Sequence, residues 1–183
     1  MLQARKFTTT LPFKLNRIFL ATIVAAAVTT AACNDDDPTQ PPPSNIVDFG
    51  GPMSGASEVP TNTTTGTGTF TATLDTSTNV FTYDLTFTGL TSNVENGHIH
   101  GPAAEGVNAD PVVDFKTLAG ATFTTGATAG SGHGTILLTA ATQITPTING
   151  DSLKTLLLAG KTYLNIHTVN NPNGEIRGQI TKE

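Results

Sequence analysis

Two segments alternate so strictly that they leave the backbone little choice. In "TGTFTATLD", 67 to 75, Phe70, Ala72 and Leu74 share one parity and threonines hold the other; "VFTYDLTF", 80 to 87, repeats the pattern with Phe81, Tyr83, Leu85 and Phe87. A period of two puts alternate side chains on opposite faces of an extended chain, so each segment is a strand with one apolar and one wet face. β-branched threonine suits such a pleated surface. The intervening "DTSTN" has hairpin length and turn-forming residues, which pairs the two strands antiparallel.

Further short strand patterns follow at "NIVDF" (45 to 49), "VENGHIHG" (94 to 101), "PVVDFKTL" (111 to 118), "GHGTILLTA" (132 to 140), "TYLNIHTV" (162 to 169) and "GEIRGQIT" (174 to 181). "TNTTTGTGT" is low in complexity, but its alternation runs directly into a strand and reads as its lead-in. Many short strands separated by Gly, Pro, Asn and Thr turns predict an all-β fold: a single antiparallel Greek-key sandwich or barrel. The inward residues include Phe70, Phe81, Leu85, Phe87, Ile99, Ile136, Leu164 and Ile176. One helical exception is "GDSLKTLLLAGK", 150 to 161: Asp151 or Ser152 caps it, Leu153, Leu156 and Leu157 share a face, and Gly160 ends it.

The N-terminus reads as an address. Arg5, Lys6, Lys14 and Arg17 precede an apolar, small-residue run from Ile18 to Ala32. At about 15 residues that run is shorter than the roughly 20 a membrane-spanning helix needs, so residues 1–33 are expected to be a signal peptide. Its end, Thr30-Ala31-Ala32-Cys33, resembles the lipobox of bacterial lipoproteins, with Thr30 where an aliphatic residue is usual. Cys33 is then the lipidation site, and the expected location is the cell envelope, on its periplasmic or cell-surface side, held to a membrane by the N-terminal lipid. Residues 34–45, acidic and then proline-rich, make an extended spacer of roughly 35 Å. Residues 46–183 form one domain.

Composition narrows the partners. Four of the nine basic residues and none of the fourteen acids precede residue 34, so the mature chain carries five against fourteen, a formal charge of −9. Such a surface repels nucleic acid and anionic lipid. Cys33 is the only cysteine, which rules out an internal disulfide and a cysteine-based metal cage.

Of four histidines, two stand one residue apart in "NGHIHGP". With Ile99 inward, His98 and His100 share the opposite face. By the same parity Leu164 and Ile166 point inward and leave Tyr163, Asn165 and His167 outward, while Ile176 and Ile180 leave Glu175, Arg177 and Gln179 outward. "NNPNG" closes these last two segments as a hairpin, so His167 is expected opposite Glu175 or Arg177. If the His98 strand lies beside that hairpin, one polar face carries His98, His100, His167, Asn165, Glu175 and Arg177. The parity of His133 stays open because Leu137 and Leu138 are adjacent.

Two readings of that face stand. His98, His100 and His167, with His133 as a fourth candidate, have the donor chemistry of a single Cu or Zn site. Alternatively the histidines are bonded to strand-end carbonyls and to a Glu175–Arg177 pair, shaping a contact surface for a protein or glycan with no cofactor. "EGVNADPVVD" has oxygen ligands without EF-hand spacing. The sequence has no G-x-S-x-G elbow and no phosphate loop, so an enzyme is disfavoured and no catalytic residue is assigned.

"MSGASEVP" (53 to 60), "GTGTFTATLD" (66 to 75), the span 81 to 113 around "NGHIHGP", and "LLAGKTYLNIHTVNNPNGEIRGQI" (157 to 180) together resemble the CHRD domain, the module named after chordin. The resemblance implies an extracellular all-β module. In chordin such modules accompany growth-factor binding; bacterial members often stand alone behind a signal peptide. No cysteine-rich companion is present here, so growth-factor binding is not carried over; the acidic, threonine-rich surface, the spacer and the missing catalytic motifs suit a non-enzymatic binding or scaffold module of unknown ligand. A weaker likeness, the strand H-x-H and a late strand histidine, is to copper/zinc superoxide dismutase. That enzyme's two-metal site needs more histidines than this chain has, so the likeness implies at most one metal.

Overall fold

The computed structural model describes residues 44–183; the signal segment, the Thr30–Cys33 lipobox with Cys33, and all but the end of the proline-rich spacer lie outside the described residues. β2 (Thr67–Asp75) and β3 (Val80–Thr88) are the two threonine-backed strands, paired antiparallel so that Phe70 faces Leu85, Ala72 faces Tyr83 and Leu74 faces Phe81. Their turn closes with Asn79 at φ 60°, a conformation asparagine tolerates better than most residues. Asp75 Oδ1 accepts the backbone N–H groups of Ser77 and Thr78 there.

The remaining strands are β1 (Ile46–Ser54), β4 (Val94–His100), β5 (Pro111–Asp114), β6 (Thr122–Phe123), β7 (Gly130–Leu137), β8 (Tyr163–Thr168), β9 (Ile176–Gln179) and β10 (Thr181–Lys182). They form one antiparallel sheet in the order β5-β4-β8-β9-β1-β2-β3-β7-β6, with β10 also on β1. Its far ends curl towards each other. Val94 N–H donates to Ala127 O at 2.9 Å and Gly126 N–H to Val94 O at 2.8 Å, joining the segment after β6 to the start of β4. The all-β expectation therefore holds, as one curled sheet.

Inside the curl lies a single core. The eight residues expected to point inward are all no more than 4% exposed. Aromatic rings knit it: Tyr83 and Phe115 lie 4.9 Å apart, Phe115 and Phe123 5.6 Å, and Phe49 and Phe81 6.0 Å in an edge-to-face arrangement. In β7, Ile136 points inward and Leu137 outward, 50% exposed, while Leu138 turns back into the core as the strand ends.

The helix α1 (Gly150–Leu158) joins β7 to β8 and buries Leu153 and Leu157. Its cap differs from expectation. Asn149, not Asp151 or Ser152, is the N-cap, and its Oδ1 accepts the Ser152 N–H at 2.9 Å. The helix starts one residue before Asp151, so the side chain able to reach back to a free N–H is the asparagine. Gly160, at φ 63°, ends the turn after it.

β8 departs most from its pattern. All six of its residues are buried, including the Tyr163, Asn165 and His167 parity expected to face water. Segments 58–62 and 101–110 lie over that face: Asn108 bonds both Val59 O and Arg177, and Ala109 bonds Tyr163. The molecule thus has a second, polar buried layer outside its apolar core.

Candidate metal centre

The register of β4, β8 and β9 assembles this layer. His98 lies opposite Asn165 and Asn165 opposite Arg177, while His100 lies opposite Tyr163 and Tyr163 opposite Gln179. A shift in register between Val94 and Asn96 brings His167 beside Asn96. Neighbours across a sheet on one face sit within side-chain reach. Three imidazoles therefore converge: ring centroids are 4.7 Å apart for His98 and His167, 5.4 Å for His98 and His100, and 5.6 Å for His100 and His167.

Hydrogen bonds fix which nitrogens carry protons. His100 Nδ1 is 2.8 Å from Ala109 O and His167 Nδ1 is 3.0 Å from Pro172 O, so both donate N–H through Nδ1 and leave Nε2 as a lone pair. His98 Nδ1 lies 2.9 Å from His167 Nε2 and donates to it. His100 Nε2 is buried and has no partner among the described residues.

Burial keeps these rings neutral. It pushes His100 and His167 down to about 4 and outweighs the carbonyl bonds that favour the charged forms. It also lowers His98, against the attraction of Asp114. Neutral imidazole is the form a metal requires. One ligand nitrogen from each of the three lies within 4.8 Å of the others. An ion at about 2 Å from each nitrogen needs separations of about 3.3 Å, so His98 Nδ1 and His167 Nε2, 2.9 Å apart, would open slightly while any wider pair within the 4.8 Å spread would draw in. Carbonyls already orient the non-ligating nitrogens of His100 and His167, the outer-shell arrangement usual for metal-bound histidine.

The other expected site residues are placed differently. His133 faces solvent on β7, its Nδ1 2.9 Å from Asp84 Oδ1, outside the triad. Asn165 lies in the layer, its Nδ2 donating to Glu58 Oε2 at 3.3 Å. Arg177 is 1% exposed and stands over the Tyr163 ring at 3.4 Å, donating to Asn108 Oδ1 and Val107 O.

Among the described residues Arg177 forms no ion pair with Glu175. The β8–β9 ladder ends at Ile166 opposite Ile176, and beyond it Glu175 turns away from the triad. Its carboxylate accepts the hydroxyls of Thr64, Thr91 and Thr168, the Thr91 N–H and the Asn171 amide. Burial pushes this carboxyl up, and those bonds outweigh it and hold its pKa below the usual value.

Sequence parity missed Glu58, Asn96 and Asp114. Glu58 comes from the connection after β1, where no periodicity exists to place it; burial, opposed by Arg177, raises it to about 7. It meets Asn165 beside Gly174, at φ 127°, where an added Cβ would lie 2.7 Å from Glu58 Oε1. Asn96 Nδ2 contacts His98 Nε2 at 2.9 Å and Asp114 Oδ2 at 3.1 Å. Asp114 was legible in principle: in "PVVDF", Val113 inward leaves Asp114 on the histidine face, opposite His98.

The family model of the CHRD domain matches residues 49–180. No curated protein and no solved structure matches the chain.

Proposed function

The chain belongs to the CHRD domain family, and from that premise we propose an exported, membrane-tethered binding module that holds one divalent copper or zinc ion on His98, His100 and His167. The observation that carries the metal is His100 Nε2: a buried lone pair without a partner among the described residues, beside two more neutral imidazoles. A buried acceptor left bare costs roughly 1–3 kcal/mol. A metal bond removes that cost. Imidazole donors suit both Cu and Zn.

Support for export and tethering comes from the charged start, the apolar run and Cys33. Binding is what this donor set supplies on its own, and turnover is not assigned. A protein or glycan partner would meet the segments 58–62 and 101–110 that cover the layer.

Elemental analysis of tag-free protein after dialysis at neutral pH tests the metal. The expected result is near one equivalent of copper or zinc, lost in the His98→Ala/His100→Ala/His167→Ala variant. A parent that folds but cannot be loaded with either ion overturns it.

A further inference from the structure

His98 is the one member of the triad whose ligand-facing nitrogen is protonated. Asn96 Oδ1 accepts the Gly97 N–H at 2.8 Å, which turns the Asn96 amide nitrogen towards His98 Nε2 at 2.9 Å. Nε2 therefore accepts, the proton sits on Nδ1, and Nδ1 points it at His167. A protonated nitrogen has no lone pair for an ion. Either His98 leaves the coordination set or its proton moves.

The destination is already in place. Asp114 Oδ2 lies 3.8 Å from His98 Nε2, while Asp114 Oδ1 is held at 2.8 Å by the Lys116 N–H, so the carboxylate is aimed and lacks only about 1 Å of approach. Resting on the metal reading above, we propose that Asp114 and Asn96 form a two-position selector for His98. Asn96 holds the metal-free tautomer, and Asp114 holds the metal-bound one as the acceptor of a carboxylate–histidine–metal arrangement.

The balance is neutral in protons. The Nδ1–H bond breaks and an Nε2–H bond forms, by exchange with water. The bond from Asn96 to His98 is replaced by one from His98 to Asp114, and the bond from His98 to His167 by two nitrogen–metal bonds. No proton is released to solvent from this ring. Asn96 Nδ2 also donates to Asp114 Oδ2 at 3.1 Å, a partner left to it once His98 turns to the carboxylate.

Asn96 and Asp114 must therefore act on metal affinity with opposite signs, which a merely structural role for either would not produce. Zn2+ alone is titrated into the metal-free full chain. Asp114→Asn is expected to weaken binding 10–100-fold, the range for lost outer-shell partners, with Asp114→Glu recovering most of it. Asn96→Ala is expected to tighten it about fivefold, the worth of one hydrogen bond. Long-range 15N–1H spectra give a separate readout: His98 is Nδ1–H without Zn2+ and Nε2–H with it, while His100 and His167 stay Nδ1–H throughout. A parent that binds Zn2+ with His98 still Nδ1–H, or with the same affinity in Asp114→Asn, overturns the selector and leaves the metal centre standing. A parent whose metal-free spectrum matches the structure but which takes up neither Zn2+ nor Cu2+ overturns both.

Discussion

Tyr163 stacks on His100 with ring centroids 4.7 Å apart and planes 6° from parallel. Arg177 covers the opposite face of the same phenol, so guanidinium, phenol and imidazole form one column inside the protein. The guanidinium also reaches Val107 O at 2.8 Å and Asn108 Oδ1 at 3.0 Å, and the next residue, Ala109, supplies the carbonyl that orients His100. One buried cation thus fixes both the ring stack and the loop.

Arg177→Lys should break this column. A lysine has no planar fork to bond two loop acceptors while lying flat on a ring. The expected loss is about 2–4 kcal/mol, combining a buried cation–π contact with one charged hydrogen bond. Urea unfolding of the two proteins measures it, and equal midpoints would show that the column contributes nothing.

Glu175→Gln tests the buried carboxylate. Its oxygens accept five hydrogen bonds from Thr64, Thr91, Thr168 and Asn171, joining three loops to β9. A glutamine replaces one acceptor oxygen with an NH2 group, which meets donors such as the Thr91 N–H head-on. About 3 kcal/mol of stability should go, read as a fall in thermal midpoint. Retention of the parental midpoint would mean that those donors find water equally well.

These two residues show where sequence reading reached its limit. The core was legible: Phe70, Phe87, Ile99 and Ile176 are inward because period two in a one-sided sheet permits nothing else. The triad was legible too, since parity put His98, His100 and His167 on one face and β4 does lie beside β8. Parity says which way a side chain leaves the sheet. It does not say what lies above it, and here segments 58–62 and 101–110 turn a face expected to be wet into a buried one. Glu175 was misplaced because parity holds only while strands remain paired, and its ladder stops one residue earlier.

His133→Ala is the control for the triad. His133 is exposed on β7 and hydrogen-bonded to Asp84, a surface contact of the kind worth about 0–1 kcal/mol. Metal content measured as above should be unchanged. A halved content would draw this histidine into the site.

The polar layer also sets the pH dependence of stability. His100 and His167 are lowered to about 4, so the folded protein resists a protonation that the unfolded chain accepts from about 6.5 downwards. Their stabilising contribution is complete above pH 6.5 and is lost as pH falls towards 4, on the order of 3 kcal/mol for each ring. Glu58 runs the other way. Raised from 4.5 to about 7, it contributes fully below pH 4.5 and loses that contribution as pH rises through 7. These two rings, with His98 lowered in the same direction, oppose one carboxyl between pH 4.5 and 6.5, so metal-free stability should climb there and sag slightly towards pH 7. Glu58→Gln keeps the shape and removes the acid, so it should gain on the parent at pH 8 by up to roughly 3 kcal/mol and gain little at pH 4.5. Urea midpoints for both proteins at pH 4.5, 6.5 and 8 decide it: a constant offset at all three values would mean that Glu58 is not held protonated by burial.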